Sequence, residues 1–227
     1  LKPRDSIPNR DFVLRYRVAG DRLKSGLLTH RDERGGYFAF MLYPPKELAG
    51  LGRQKLQLVF VLDCSVGMSG WAIEQAKAAI ERGLGLLEPR DSFQLINLST
   101  TGSQLGPAPL EATRENIQRG LRYLRSFQSD GGAVGIEGLK AALDLPHDPQ
   151  RLRFVCLLTH GYIGNESEVL AEIRKQLGAS RILSFGIGVA LNRELLDDMA
   201  KLGRGAVAWL GQGDDAAQVM EDFFKHI

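Results

Sequence analysis

One stretch limits what this chain can become: LVFVLDCSVGMSGWAIEQAKAAIERGL, residues 58–84. Its first five residues are apolar with no polar alternation and the sixth is Asp63, the pattern of a strand covered on both faces and ending in a carboxylate. A small-residue turn follows, from Cys64 to Gly70. Beyond it, Ile73, Ala76, Ile80, Leu84 and Leu87 recur at the 3–4 spacing of a packed helix face. Strand, polar turn and helix form half of a βαβ unit, and open α/β sheets place their sites beyond the carboxyl ends of strands. Any binding site is therefore expected around Asp63.

The rest of the chain agrees with that start. From residue 91 onward, apolar strand-like runs (91–99, 153–160, 181–188, 205–211) alternate with helical patterns (113–127, 135–144, 166–177, 192–202 and a last helix capped by Asp214-Asp215). Repetition of β then α predicts an α/β fold, with a Rossmann-like, mostly parallel central sheet, helices on both faces and 205–211 as an edge strand. The Pro- and Gly-rich passage 100–109 reads as a connection. On the helix over 113–127, Arg114, Arg122 and Arg125 fall opposite the apolar face and read as a solvated surface.

Residues 1–45 differ in character. FVLRYRV (12–18), GLLTH (26–30) and YFAFMLYPP (37–45) are short and aromatic or β-branched, with turn-like AGDRLKS and RDERGG between them. They predict an antiparallel β extension, with Tyr37, Phe38, Phe40, Met41 and Leu42 supplying a strand and contacts at the margin of the main body. The expected division is 1–45 for this extension, a stub linking to a further module, and 46–227 for the α/β domain. KELAGLGRQ is the link.

At 227 residues and 44% apolar content the chain can bury a substantial core. A formal charge of +2 gives no reason to expect a nucleic-acid partner. No run approaches the length of a membrane span, and the opening LKPRDSIPNR lacks the apolar core of a leader, so no membrane insertion by this segment is expected. Cys64 and Cys156 sit at different heights on their strands, too far apart for a disulfide, and are expected to be two thiols filling apolar space.

Three loops are expected to share the carboxyl edge: Asp63-Cys64-Ser65-Val66-Gly67, Ser129-Asp130-Gly131-Gly132-Ala133, and Thr159-His160-Gly161. With FVLDCSVGMSG, LEPRDSFQLINLS, SDGGAVGIEGLKAAL, FVCLLTHG, SFGIGVALNRELLDDMAKLGRG and the run-in YFAFMLYPP, the sequence resembles the von Willebrand factor type A domain. The resemblance is closest to the form in inter-alpha-trypsin inhibitor heavy chains and their bacterial relatives, where it follows an amino-terminal VIT module. It implies protein binding or cell adhesion and an extracellular or envelope-associated location. It also implies a metal-ion-dependent adhesion site made from Asp-x-Ser-x-Ser, a threonine and an aspartate.

Matched residue by residue, that site is degenerate. Asp63 and Ser65 keep their places, but Gly67 stands for the second serine, Ala133 for the threonine and His160 for the aspartate. Mg²⁺ prefers about six oxygens in near-octahedral order and accepts imidazole poorly. No cofactor is therefore expected, with weak Mg²⁺ or Mn²⁺ binding at Asp63 and Ser65, or a softer metal through His160, as lesser alternatives. Gly67, Asp130, Ala133 and His160 are expected on the rim of an interaction site, with Asp130 also explicable as a turn-former before Gly-Gly.

The resulting expectation is a non-enzymatic protein-interaction or scaffolding domain with an unidentified protein partner. One alternative is a metal-assisted adhesion domain with an altered ligand shell involving His160. Another is a hydrolase using Ser65 and His160, which requires those two side chains to approach hydrogen-bonding distance. The stretch Asp63-Cys64-Ser65-Val66-Gly67 is not a Gly-x-Ser-x-Gly nucleophile elbow, and no phosphate-binding glycine loop follows the first strand.

Overall fold

A computed structural model describes residues 24–43, 53–99, 102–129 and 136–225. The chain divides into two compact units, 1–53 and 54–227. In the first, strands β1 (Lys24–Asp32) and β2 (Gly35–Tyr43) form an antiparallel hairpin that pairs Leu27 with Phe40 and Asp32 with Gly35. The run 12–18 lies outside the described residues. The hairpin's apolar side chains are open within this unit: Phe38 is 77% exposed, and Tyr37, Phe40, Met41 and Leu42 are exposed too. A two-stranded sheet has no second layer of its own to cover a face.

The second unit is built on β3 (Leu56–Asp63), all eight residues of which are buried. After a short 3-10 turn (Val66–Met68) come α1 (Trp71–Gly85), β4 (Ser92–Leu98), the two-residue strands β5 (Ser103–Gln104) and β6 (Leu110–Glu111), and α2 (Arg114–Arg125). Then follow α3 (Glu137–Asp144), β7 (Leu152–Thr159), α4 (Glu166–Gln176), β8 (Arg181–Ile187), α5 (Arg193–Leu202), β9 (Val207–Leu210) and α6 (Ala216–Phe224). The strand order is β5-β4-β3-β7-β8-β9, with β6 also on β4; β3, β4, β7, β8 and β9 are parallel.

The pleat sends Leu58, Phe60 and Leu62 of β3 to one face and Val59 and Val61 to the other. The first set packs with Ala76, Ile80 and Leu84 of α1 and Met220 of α6, and the second with Leu139 of α3, Val169 and Ile173 of α4 and Leu195 and Met199 of α5. Both faces are thus apolar because both are covered, which explains the unalternated run in the sequence. The passage 100–109 is not only a connection. It carries β5, and β6 follows directly; both are antiparallel to β4. Such short strands have no periodicity to read; pairing with the edge of β4 creates them.

Arg153, at the start of β7, is 2% exposed and has no carboxylate within ion-pair distance among the described residues. Its guanidinium donates instead to Gln57 Oε1 and to the carbonyls of Leu145 and Pro146, tying the α3–β7 connection to β3. Burial pushes its pKa down to about 10. The β3–β7 register pairs Phe60 with Cys156, so Cys64 lies four positions farther along, about 13 Å away along the strand. Both thiols are buried.

Candidate functional site

Asp63 closes β3. The register that pairs Leu62 with Leu158 brings it beside Thr159 at the end of β7, and Leu98 of β4 pairs with it on the other flank. Its side chain is fully buried and both oxygens accept hydrogen bonds. Oδ1 takes the Ser65 backbone N–H at 2.9 Å, while Oδ2 takes the Thr159 hydroxyl at 2.6 Å and His160 Nδ1 at 2.9 Å. Burial raises the carboxyl's pKa, but the hydrogen bonds from His160, Thr159 and Ser65 together outweigh it and hold the group below the usual Asp value. An ionised carboxylate has no proton to give, so Nδ1 is the donor.

The rest of the His160 ring is fixed by a neighbour without a side chain. A Cβ added to Gly67 would lie 2.3 Å from Nε2 and 2.5 Å from Cδ2 of His160, so the imidazole occupies the space that a side chain at 67 would need. On its outer side the ring meets Tyr162, centroid to centroid 5.2 Å. The Ser65 hydroxyl adds to the field that keeps Asp63 charged. It is nevertheless buried and makes no hydrogen bond among the described residues.

Neighbouring loops are clipped to this centre. Ser129 donates to the Ser65 carbonyl at 2.6 Å, and the Cys64 amide donates to the Leu98 carbonyl at 2.8 Å. Gly161, at φ +95°, turns the chain after His160 in a conformation few side chains adopt. There Asn192 donates its backbone N–H to the His160 carbonyl, and its side chain donates to Glu166 Oε1 at 2.6 Å and caps α5 at Leu195.

Of the residues singled out from sequence, Asp63, Ser65, Gly67 and His160 therefore come together, while Asp130 and Ala133 lie outside the described residues. Among the described residues no three His, Cys, Asp or Glu side chains converge as a metal would require. Ser65 and His160 share no hydrogen bond: Nδ1 is engaged by Asp63 and Nε2 faces Gly67. Sequence reasoning passed over Thr159 and Ser129 as functional side chains. The only available signal for Thr159 was a hydroxyl at the last position of a buried strand. A cavity of about 580 Å³, lined by Phe154, Leu183, Phe223 and the residues Arg181 and Arg204, opens at the opposite, amino edge of the sheet.

Comparison with known proteins agrees with this architecture. Residues 56–208 match the model of the von Willebrand factor type A domain. A von Willebrand factor A domain-containing protein of Dictyostelium discoideum is 30% identical over 71% of this chain and 18% of its own length. Inter-alpha-trypsin inhibitor heavy chain 4 of Mus musculus is 27% identical over 98% of this chain, which reaches back through the hairpin unit, and 24% of its own length. The chain thus spans a quarter or less of these relatives. Among solved structures, a von Willebrand factor type A protein from Catenulispora acidiphila superposes with a TM-score of 0.66 at 17% identity, covering 90% of this chain and 45% of the other. The pilus adhesin SpaC from Lactobacillus rhamnosus GG, in its open conformation, gives 0.61 at 12% identity, covering 89% and 33%. With the family model covering the sheet from β3 into β9 and helices α1 to α5, the chain belongs to the von Willebrand factor type A domain family.

Proposed function

We propose that this chain is a protein-interaction module that engages its partner at the rim around Asp63 and His160 without a divalent ion. Domains of this family typically mediate protein interaction or adhesion. One observation supports the metal-free form: the imidazole of His160 is bonded to Asp63 and lodged over Gly67. A hard cation gains most from anionic oxygens in ordered geometry. Here one carboxylate already accepts three hydrogen bonds and one hydroxyl stands beside it, while Gly67, Ala133 and His160 offer no oxygen ligand. The module works by binding, not by catalysis, because the Ser65 hydroxyl is not delivered to His160.

An extracellular or envelope-associated setting is part of the same reading. It draws on the heavy-chain relatives and on fold neighbours that include a pilus adhesin and an aerotolerance-related membrane protein of Bacteroides fragilis. No helix among the described residues is long and apolar enough to cross a membrane.

Thermal melting with added ions tests the reading. Binding to the folded state alone raises stability by RT ln(1 + [L]/Kd), so 1 mM Mg²⁺ acting with a Kd near 10 mM adds only about 0.06 kcal/mol, and no shift is expected. A clear rise with Mg²⁺ or Mn²⁺ that Asp63→Ala abolishes would overturn it. The imidazole at the strand end favours one second reading, a softer ion held through His160. A shift with Zn²⁺ or Ni²⁺ alone, lost in His160→Ala, would select that reading.

A further inference from the structure

We infer that the rim takes a basic protein segment carrying an apolar anchor, the reverse of the acidic group that a metal-bearing rim would hold. This rests on the proposed role of the rim in partner binding, and it assigns the partner's chemistry.

The first observation is where the α/β unit leaves large apolar side chains in water. Among its described residues these are Val66, Tyr162 and Val189, exposed by 60, 58 and 88%. Each stands in the loop after a different strand, β3, β7 or β8, and those strands are adjacent in the sheet. Scattered exposed apolar residues need no explanation, but three on adjacent loops at one edge, and none elsewhere on the described surface of this unit, form a patch. The loops of Tyr162 and Val189 are also held to each other by the bond from Asn192 to the His160 carbonyl and by the fit of Gly161 against Asn192. A prearranged patch loses little freedom when a partner covers it.

The second observation lies beneath the patch. Tyr162 rests against the ring of His160, which is itself bonded to the buried Asp63, and Ser65, next to Val66, is buried beside it.

Charge decides what kind of segment. Along the half of the rim formed by β7, β8 and β9, the first turns of α4 and α5 carry Glu166, Glu168 and Glu194, and Asp214 and Asp215 precede α6; all are exposed. Acids at helix starts are common and alone would indicate nothing. Here they follow β7, β8 and β9, two of which also carry Tyr162 and Val189 on their loops, and the cation among them, Arg193, lies over the Trp209 ring with its guanidinium carbon 4.7 Å from the centroid. A partner carboxylate would meet like charge, whereas lysines or arginines flanking an apolar anchor would meet complementary charge along that half of the rim.

The test titrates the intact chain with two labelled heptapeptides in EDTA. Both have a Leu-Phe-Leu centre; one is flanked by lysines and the other by glutamates. The basic peptide is expected to bind about tenfold or more tightly than the acidic one, with the gap narrowing as salt is raised. Val189→Ser and Tyr162→Ser should each weaken it about fivefold or more while leaving the melting temperature unchanged, since both side chains are exposed. Equal or reversed preference, no binding of the basic peptide at millimolar concentration, or indifference to both substitutions would overturn the inference. Repeating the titration in Mg²⁺ separates it from the reading beneath it: capture of the acidic peptide only when the ion is present would overturn the metal-free function itself.

Discussion

Gly67 and His160 occupy one space: the imidazole lies where the first carbon of any side chain at 67 would be, 2.3 Å from Nε2. The two positions therefore depend on each other. A glycine is required because the ring is there, and the ring is held there by Asp63.

Adding a methyl group at 67 should consequently destabilise the domain, and removing the ring should relieve the cost. Gly67→Ala alone is expected to lose about 1–3 kcal/mol, the usual range for overpacking. In a His160→Ala background the same change should cost less than half as much. A double-mutant cycle by chemical denaturation measures the coupling, and additive effects would disprove the steric dependence.

Restoring oxygen ligands should restore a metal response. The triple variant Gly67→Ser, Ala133→Thr and His160→Asp removes the ring and supplies three oxygen donors at the positions that the family resemblance assigns to them. A Mg²⁺-dependent rise in melting temperature is expected in the triple variant and not in the parent chain. Melting curves with and without chelator check it.

Asp63 should make the acid side of the stability profile steep. Its folded pKa is lowered, so the unfolded state takes up the proton more readily as pH falls. The stability it contributes is fully present above the unfolded value, about 4, and is lost as pH drops through the lower folded value. Asp63→Asn should be less stable at neutral pH and show a flatter dependence between pH 5 and 2. Denaturation midpoints across that range check the sign.

Arg153 should matter more than a surface arginine. Arg153→Leu leaves the carbonyls of Leu145 and Pro146 and the amide oxygen of Gln57 without this donor in a buried place, and is expected to cost about 2–4 kcal/mol. Arg122, exposed on α2, should tolerate the same change within about 0.5 kcal/mol. Urea denaturation of the two variants makes the comparison.

Both cysteines should be silent to a thiol reagent in the native protein. Cys64 and Cys156 are buried, and desolvation raises the pKa of the Cys156 thiol. Unfolding without reductant should release two titratable thiols; finding none would mean a disulfide that the strand register does not permit.

The sequence by itself determined the layered architecture, because the unalternated run from Leu58 to Leu62 reads as a strand covered on both faces, and the 3–4 spacing of Ile73, Ala76 and Ile80 reads as a helix facing such a strand. It also marked Asp63 as a polar group at a strand end, since a carboxylate closing an apolar run needs a special environment. What it could not decide was who satisfies that carboxylate. Thr159 and His160 are some hundred residues away in the chain, and only the parallel register of β3 and β7 brings them to Oδ2. The exclusion between Gly67 and the His160 ring was equally hidden: a missing side chain has no pattern, and its meaning comes from the atom that fills its place. Strands β5 and β6 were lost for the same reason, because two residues carry no period and become strands only against the edge of β4. Local chemistry is written in spacing along the chain, whereas contact between distant residues is a property of packing, and packing assembled this site.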